Sequence, residues 1–211
     1  MQMKRAIALL GVLSVMALHA RANTLDYDAD PGAGYQRYFP GGANSRVLDD
    51  VNRTSTFAIK QINIVFFNAN SSAVDVTLYV YDTGAGGVVG NLLYTATIAG
   101  VPNGVAQLQF GAPGIATGIQ SLWIGVSANA ASAGMVLNPA GAPLLGTSAD
   151  VFAWDRNVDG SIANNEYFFF GGNPVANFAI EVLVPEPASM LALGSGLAGL
   201  LALRRRKART A

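Results

Sequence analysis

Twelve consecutive residues carry the only defined chemical pattern inside this 211-residue chain: Asp155-Arg156-Asn157-Val158-Asp159-Gly160-Ser161-Ile162-Ala163-Asn164-Asn165-Glu166. Oxygen donors stand at positions one, three and five (Asp155, Asn157, Asp159). Gly160 follows at six, the carbonyl of Ser161 at seven, apolar Ile162 at eight and Glu166 at twelve. This is the ligand order of a calcium loop, where hard oxygens surround the ion and glycine takes the sharp turn. The flanks, Val151-Phe152-Ala153-Trp154 and Tyr167-Phe168-Phe169-Phe170, favour strands, so the helix-loop-helix frame of an EF-hand is missing. The same residues also suit a polar hairpin loop in which Asp, Asn and Gly serve turn geometry alone. Both readings stand at this level: a weak extracellular calcium site, or a turn.

Other chemistry is narrowly bounded. The chain has no cysteine, and its one histidine, His19, lies in the first 22 residues. Residues 23–183 therefore lack the parts for Ser-His-Asp or Cys-His catalysis and for histidine-based zinc sites. A paired-carboxylate glycosidase is the remaining catalytic option, and no motif selects its pair. Trp123, with Tyr79 and Tyr81, falls opposite the aliphatic stripes of its strand. It is a candidate platform for stacking on sugar rings, unless that face is covered.

The elements that must hold these residues read as β. Val74, Val76, Leu78 and Val80 alternate with Asp75, Thr77, Tyr79 and Tyr81, the period of a strand with one buried face. Residues 57–67 form a second candidate, and Leu122, Ile124 and Val126 belong to a third. Leu92–Ile98 and Val105–Phe110 flank Pro102-Asn103-Gly104 and predict a hairpin. Val151–Trp154, Glu166–Phe170 and Phe178–Val184 complete the set, with Tyr167–Phe170 expected in the core because it is so apolar. Seven or more short strands with Gly, Asn and Pro turns predict an all-β fold, a single β-sandwich. Tyr79-Val80-Tyr81-Asp82, Gly90-Asn91-Leu92-Leu93 and Leu122-Trp123-Ile124-Gly125-Val126 loosely resemble the jelly-roll modules of secreted bacterial proteins, which implies a jelly-roll-like sandwich.

The two ends read as sorting signals. Lys4 and Arg5 precede the apolar stretch Ala6–Leu18, and Ala20-Arg21-Ala22 is a small-residue cleavage site, so residues 1–22 have the layout of a signal peptide. At the other end, Val184-Pro185-Glu186-Pro187 leads into an apolar run, Ala188–Leu203, closed by Arg204-Arg205-Arg206-Lys207. As a helix that run spans roughly 24 Å at about 1.5 Å per residue. This is a little short of a hydrocarbon core of about 30 Å, and snorkelling arginines make up the difference. The cation cluster is expected to stay cytoplasmic, which places the preceding residues on the outer face.

Those tail residues, 184–211, resemble the PEP-CTERM sorting tail, also labelled the C-terminal domain of ice-binding proteins. The resemblance implies recognition of Pro185-Glu186-Pro187 by an exosortase, a membrane transpeptidase-like enzyme, and removal of the tail. It also implies a Gram-negative bacterium that makes exopolysaccharide and biofilm matrix. Ice binding itself lacks support, because Thr95-Ala96-Thr97 is the only repeat of the kind a threonine array needs.

Between the signals the charge is strongly biased. Three of the thirteen cations lie in residues 1–22 and five in the tail, leaving Arg37, Arg46, Arg53, Lys60 and Arg156 against twelve carboxylates. Nucleic acid is excluded as a partner, since phosphate binding needs clustered Lys and Arg. The expected organisation is a signal peptide (1–22), a β-sandwich domain (23–183) and a sorting tail (184–211). The expected role is a non-catalytic, exported surface or matrix protein, held in the inner membrane by its C-terminal helix until exosortase processes it, and associated with exopolysaccharide. A carbohydrate-binding or calcium-dependent adhesion module is the alternative, and a glycosidase the third.

Overall fold

Alternation along the chain sets which side chains meet. A computed structural model describes residues 23–35, 37–138, 141–171 and 177–186. The predicted signal peptide with Ala20 and Ala22, the transmembrane helix, Pro187, Arg204, Arg205, Arg206 and Lys207 lie outside the described residues. The strands, in chain order, are β1 (Asn23–Asp28), β2 (Tyr38–Phe39), β3 (Val47–Asn52), β4 (Ile59–Asn68), β5 (Val74–Thr83), β6 (Val89–Val101), β7 (Gly104–Ile115), β8 (Ser121–Ala128), β9 (Ala133–Asn138), β10 (Val151–Trp154), β11 (Tyr167–Phe169), β12 (Asn177–Phe178) and β13 (Ile180–Pro185). Helical structure among the described residues is limited to two single 3-10 turns, Ala85–Gly87 and Asn164–Glu166.

These strands make two antiparallel sheets. One has six strands in the order β11-β10-β3-β8-β5-β6; the other has seven, running β1-β13-β4-β9-β12, with β2 paired to β9 and β7 to β4. Strand β4 organises the second sheet. One of its edges pairs with β7 from Ile59 to Asn68. The opposite edge is shared, β13 taking Gln61 to Ile64 and β9 taking Phe66 to Asn68. The inward stripes of both sheets merge into a single core. Val74, Val76, Leu78 and Val80 of β5 and Leu122, Ile124 and Val126 of β8 meet Ile62, Ile64 and Phe66 of β4, with Leu108, Phe110, Ile180 and Val182. Leu25–Val184 is a compact unit.

The all-β, two-sheet expectation holds, and two local expectations change. Strands β6 and β7 do not form a hairpin within one sheet, because β6 pairs with β5 and β7 with β4. The turn between them carries the chain from one sheet to the other. Gly100 (φ 72°) and Gly104 (φ 106°) supply the left-handed backbone, and Asn103 Nδ2 donates to the carbonyls of Asn68 and Asn70 at 3.1 and 2.9 Å. The run Tyr167–Phe170 is not uniformly buried. Phe168 and Phe170 pack beside Phe152 at the core, but Phe169, on edge strand β11, is 75% exposed. Strand β3, which carries adjacent aspartates, lies inside the six-stranded sheet, between β10 and β8.

Two buried ionisable groups tie the structure together. Arg53, just after β3, pairs with Asp26 of β1 at 3.1 Å and donates to the carbonyls of Phe57, Ala116 and Ile119. Asp49 points inward from β3 and is wholly buried. Its Oδ2 accepts the N–H of Phe178 at 3.0 Å, so one carboxyl bridges the two sheets. Burial, reinforced by the neighbouring Asp50 charge, holds the Asp49 carboxyl well above the usual carboxylate range.

Candidate functional site

Strand β10 delivers the twelve-residue loop. Phe152 and Ala153 are buried between neighbours, and Trp154 anchors the exit through Nε1, which donates to Gly41 O and Ser45 Oγ at 2.7 Å each. The next residue, Asp155, is 1% exposed; its N–H donates to Arg46 O at 2.9 Å. Its carboxylate then organises the turn, Oδ1 accepting the N–H of Asp159 at 3.2 Å and Oδ2 that of Gly160 at 3.1 Å. Gly160 takes the left-handed turn, with a φ of +84° that side chains rarely adopt.

Glu166 closes the far end. It is 4% exposed, and its two carboxylate oxygens accept the N–H groups of Arg156 (3.0 Å) and Ala163 (2.9 Å). Asp159 is solvent-exposed, yet the Ser161 hydroxyl and N–H, at 2.7 and 2.8 Å, hold its carboxyl below the usual carboxylate range. Asn157 Nδ2 adds a third donor to Asp159 at 2.8 Å. Asp155, Asn157, Asp159, Ser161 and Glu166 thus belong to one hydrogen-bonded loop, as their spacing suggested. The carboxylates are engaged by N–H and O–H donors, and no three acidic side chains among the described residues converge where a metal could sit. These hydrogen bonds close the twelve residues into a turn.

The loop instead covers the outer face of the six-stranded sheet. Ile162 packs on a second apolar cluster formed by Leu48, Tyr81, Trp123 and Ala153. Arg46 pins the loop from below, donating to Gly160 O and, at 2.7 Å, to Tyr81 Oη while its guanidinium lies 4.6 Å from the Tyr79 ring centre. Trp123 is therefore no sugar platform. It is 2% exposed, its Nε1 donates to Gly87 O at 3.2 Å, and Tyr167 meets it edge to face at 5.6 Å. Alternation correctly put Trp123 on the outer face, but that face is roofed by two loops distant in sequence.

A second patch, which the sequence reading did not single out, stays open on the outer face of the seven-stranded sheet. Tyr35, Arg37, Tyr38, Phe67, Val105 and Val136 line a shallow cleft of about 130 Å³ there. Only strand pairing brings them together. Phe67 stands opposite Val105 in register, and Tyr38 opposite Val136.

The sorting residues begin on the fold itself. Val184 is buried and Pro185 is the last residue of β13, with half-buried Glu186 directly after it. No curated protein and no solved structure matches this chain. Residues 183–207 do match a family model, described as the PEP-CTERM protein-sorting motif. Residues 183–207, with Pro185-Glu186-Pro187, the apolar run and the basic end, are thus a PEP-CTERM protein-sorting motif, which implies export and processing by an exosortase.

Proposed function

We propose that residues 23–183 act outside the cell as a non-catalytic structural domain of the exopolysaccharide matrix, delivered there when exosortase severs the tail. The sorting motif at residues 183–207 is the observation that carries this reading. The composition supports it, since the domain lacks both histidine and cysteine. In the same reading the signal peptide ends at Ala22, the domain is a jelly-roll-like sandwich, and the tail helix spans the inner membrane before cleavage. The test is expression with and without an exosortase, followed by fractionation and mass measurement of the C-terminus. With the enzyme, a species shortened near Pro187 reaches the surface or medium; without it, or after replacing Pro185, Glu186 and Pro187 by alanine, the intact chain stays in the membrane. Identical fractionation and mass under all three conditions would overturn the proposal.

For the loop Asp155–Glu166 we favour the turn over calcium-dependent adhesion. Its carboxylates are already paired with backbone N–H groups, and Ile162 uses the loop as a cover for Trp123. Catalysis by a carboxylate pair has no comparable support: the cleft lined by Tyr35, Tyr38 and Phe67 has no carboxylate in its lining.

A further inference from the structure

The two sheets treat their outer faces differently. On the six-stranded sheet the central outer aromatics, Trp123 and Tyr81, are roofed by loops. On the seven-stranded sheet, Tyr35, Tyr38 and Phe67 frame an open cleft with exposed Val105 and Arg37 at its border. The rings are held in place. Tyr38 and Phe67 meet edge to face, 4.7 Å between centroids and 65° between planes, above buried Val65, Val136 and Ala179. The Tyr35 hydroxyl is tied to Asp30 Oδ1. Ring orientation is thus fixed before any ligand arrives, which lowers the ordering cost of binding.

A row of hydrogen-bonding side chains adjoins the rings. Two residues along β4 from Phe67 is Val65, and two further is Asn63; two along β7 from Val105 is Gln107. Residues spaced by two share a face of the sheet, about 7 Å apart. Asn63 Nδ2 donates to Glu181 Oε2 at 2.7 Å, Gln107 Nε2 reaches the same oxygen at 3.5 Å, and Gln61 Nε2 donates to Asn63 Oδ1 at 2.7 Å. Both bonds to Glu181 fall on one carboxylate oxygen, which leaves Oε1 free to accept. Arg37 forms no ion pair among the described residues, where Arg53–Asp26 is the one such pair.

We infer that this face binds a neutral polysaccharide, with one pyranose ring seated in the cleft between Tyr38, Phe67 and Val105 beside Arg37, and the next sugar along the polymer meeting Gln107 and Glu181. The inference deepens the matrix proposal and rests on it. Ligand class follows from the site's chemistry. Apolar ring faces beside a few fixed donors and acceptors suit a molecule with an apolar face and hydroxyl edges. A cleft of about 130 Å³ takes a single ring; pockets for drug-sized ligands run to about 300–1,000 Å³. Charge decides between neutral and acidic glycans. With twelve carboxylates against five cations in residues 23–183, the domain repels a polyanion, and the single arginine at the cleft does not reverse that. The same balance excludes a nucleic acid.

The test is affinity electrophoresis of the full chain in detergent. The gels contain the exopolysaccharide of the producing cells, neutral β-glucan or galactomannan, or acidic alginate. Retardation is expected in at least one neutral gel and absent in alginate. Arg37→Ala and Tyr38→Ala should each weaken it about tenfold, while Thr97→Ala on the other sheet leaves it unchanged. Arg37→Ala removes an exposed side chain, so its effect is not a folding effect; a melting curve checks the same for Tyr38→Ala. No retardation in any gel, retardation only in alginate, or retardation that survives both cleft substitutions would each overturn the inference. So would a cleft that captures a protein and no glycan. Each of these outcomes leaves sorting by exosortase intact, whereas loss of sorting with glycan binding retained would strike the matrix proposal alone.

Discussion

Replacing Glu166 by alanine separates the two readings of the twelve-residue loop. The side chain accepts two N–H bonds, from Arg156 and Ala163, through a carboxylate that is almost wholly buried. Hydrogen bonds to a charged acceptor contribute about 1.5–3 kcal/mol each. Arg156 and Ala163 are themselves exposed, so their freed N–H groups turn partly to water and the lower end applies. Glu166→Ala should therefore destabilise the domain by about 3 kcal/mol. That lowers the urea midpoint by about 1.5 M and the melting temperature by roughly 6–12 °C. Glu166→Gln keeps one acceptor oxygen and should lose about half as much. The discriminating condition is a chelator: the loss should be the same in excess EGTA as in millimolar calcium, and calcium should not raise the melting temperature of the unmodified domain. If Glu166→Ala matches the unmodified domain in EGTA but lacks a stabilisation that calcium otherwise gives, the clasp argument is wrong and the loop is a metal site.

Other consequences are equally open to measurement. The pKa of Asp49 is higher in the folded state than its ordinary value of 3.8. Its contribution is thus fully present below that value and is lost as pH rises through the folded pKa. Asp49→Asn keeps an acceptor for the Phe178 N–H and should flatten the decline from about pH 4 upward in urea midpoints; an unchanged slope would remove Asp49 as its cause. Trp123→Ala should cost about 3–5 kcal/mol by chemical denaturation, as expected for a large buried ring, and a cost under 1 kcal/mol would mean that the roof over it is not closed. Gly125→Ala places a Cβ 1.9 Å from Val47 O within the β3–β8 ladder, so about 3 kcal/mol or more should be lost in the same assay. Wild-type stability for that variant would show that the two strands are further apart.

Strands with clean alternation were legible in the sequence, and β5 and β8 lie where their aliphatic stripes placed them. Strand β3 was not, because Asp49-Asp50 reads as a loop signal. Its inward aspartate is tolerated through an N–H supplied by Phe178, 129 residues along the chain. Strand β9 was missed for a similar reason. Gly134 weakens its pattern, and the glycine is needed because a Cβ there would meet Phe39 O at 1.8 Å. The loop from Asp155 to Glu166 was found by spacing, but spacing is shared by a metal cage and a hydrogen-bonded turn. What decides is where the carboxylates point. The open cleft left no local trace either, as Tyr35, Tyr38 and Phe67 become neighbours only through β2–β9 and β4–β9 pairing.

The pairing of the first strand with the last has a consequence for the timing of export. Strand β1 has β13 as its neighbour in the seven-stranded sheet, and β13 is the strand on which the sorting motif starts. A chain that leaves the cytoplasm from its N-terminus presents β1 first and must wait for nearly the whole domain to emerge before that strand finds its partner. Contacts of such long sequence separation form late, after the loop-closure entropy has been offset by the rest of the core. The sheet is thus completed only as Val184 and Pro185 arrive outside, when the motif becomes readable. Chain order alone makes the last step of folding coincide with the first opportunity for processing, so that a tail presented to the enzyme belongs to a domain whose strands are all on the outer side.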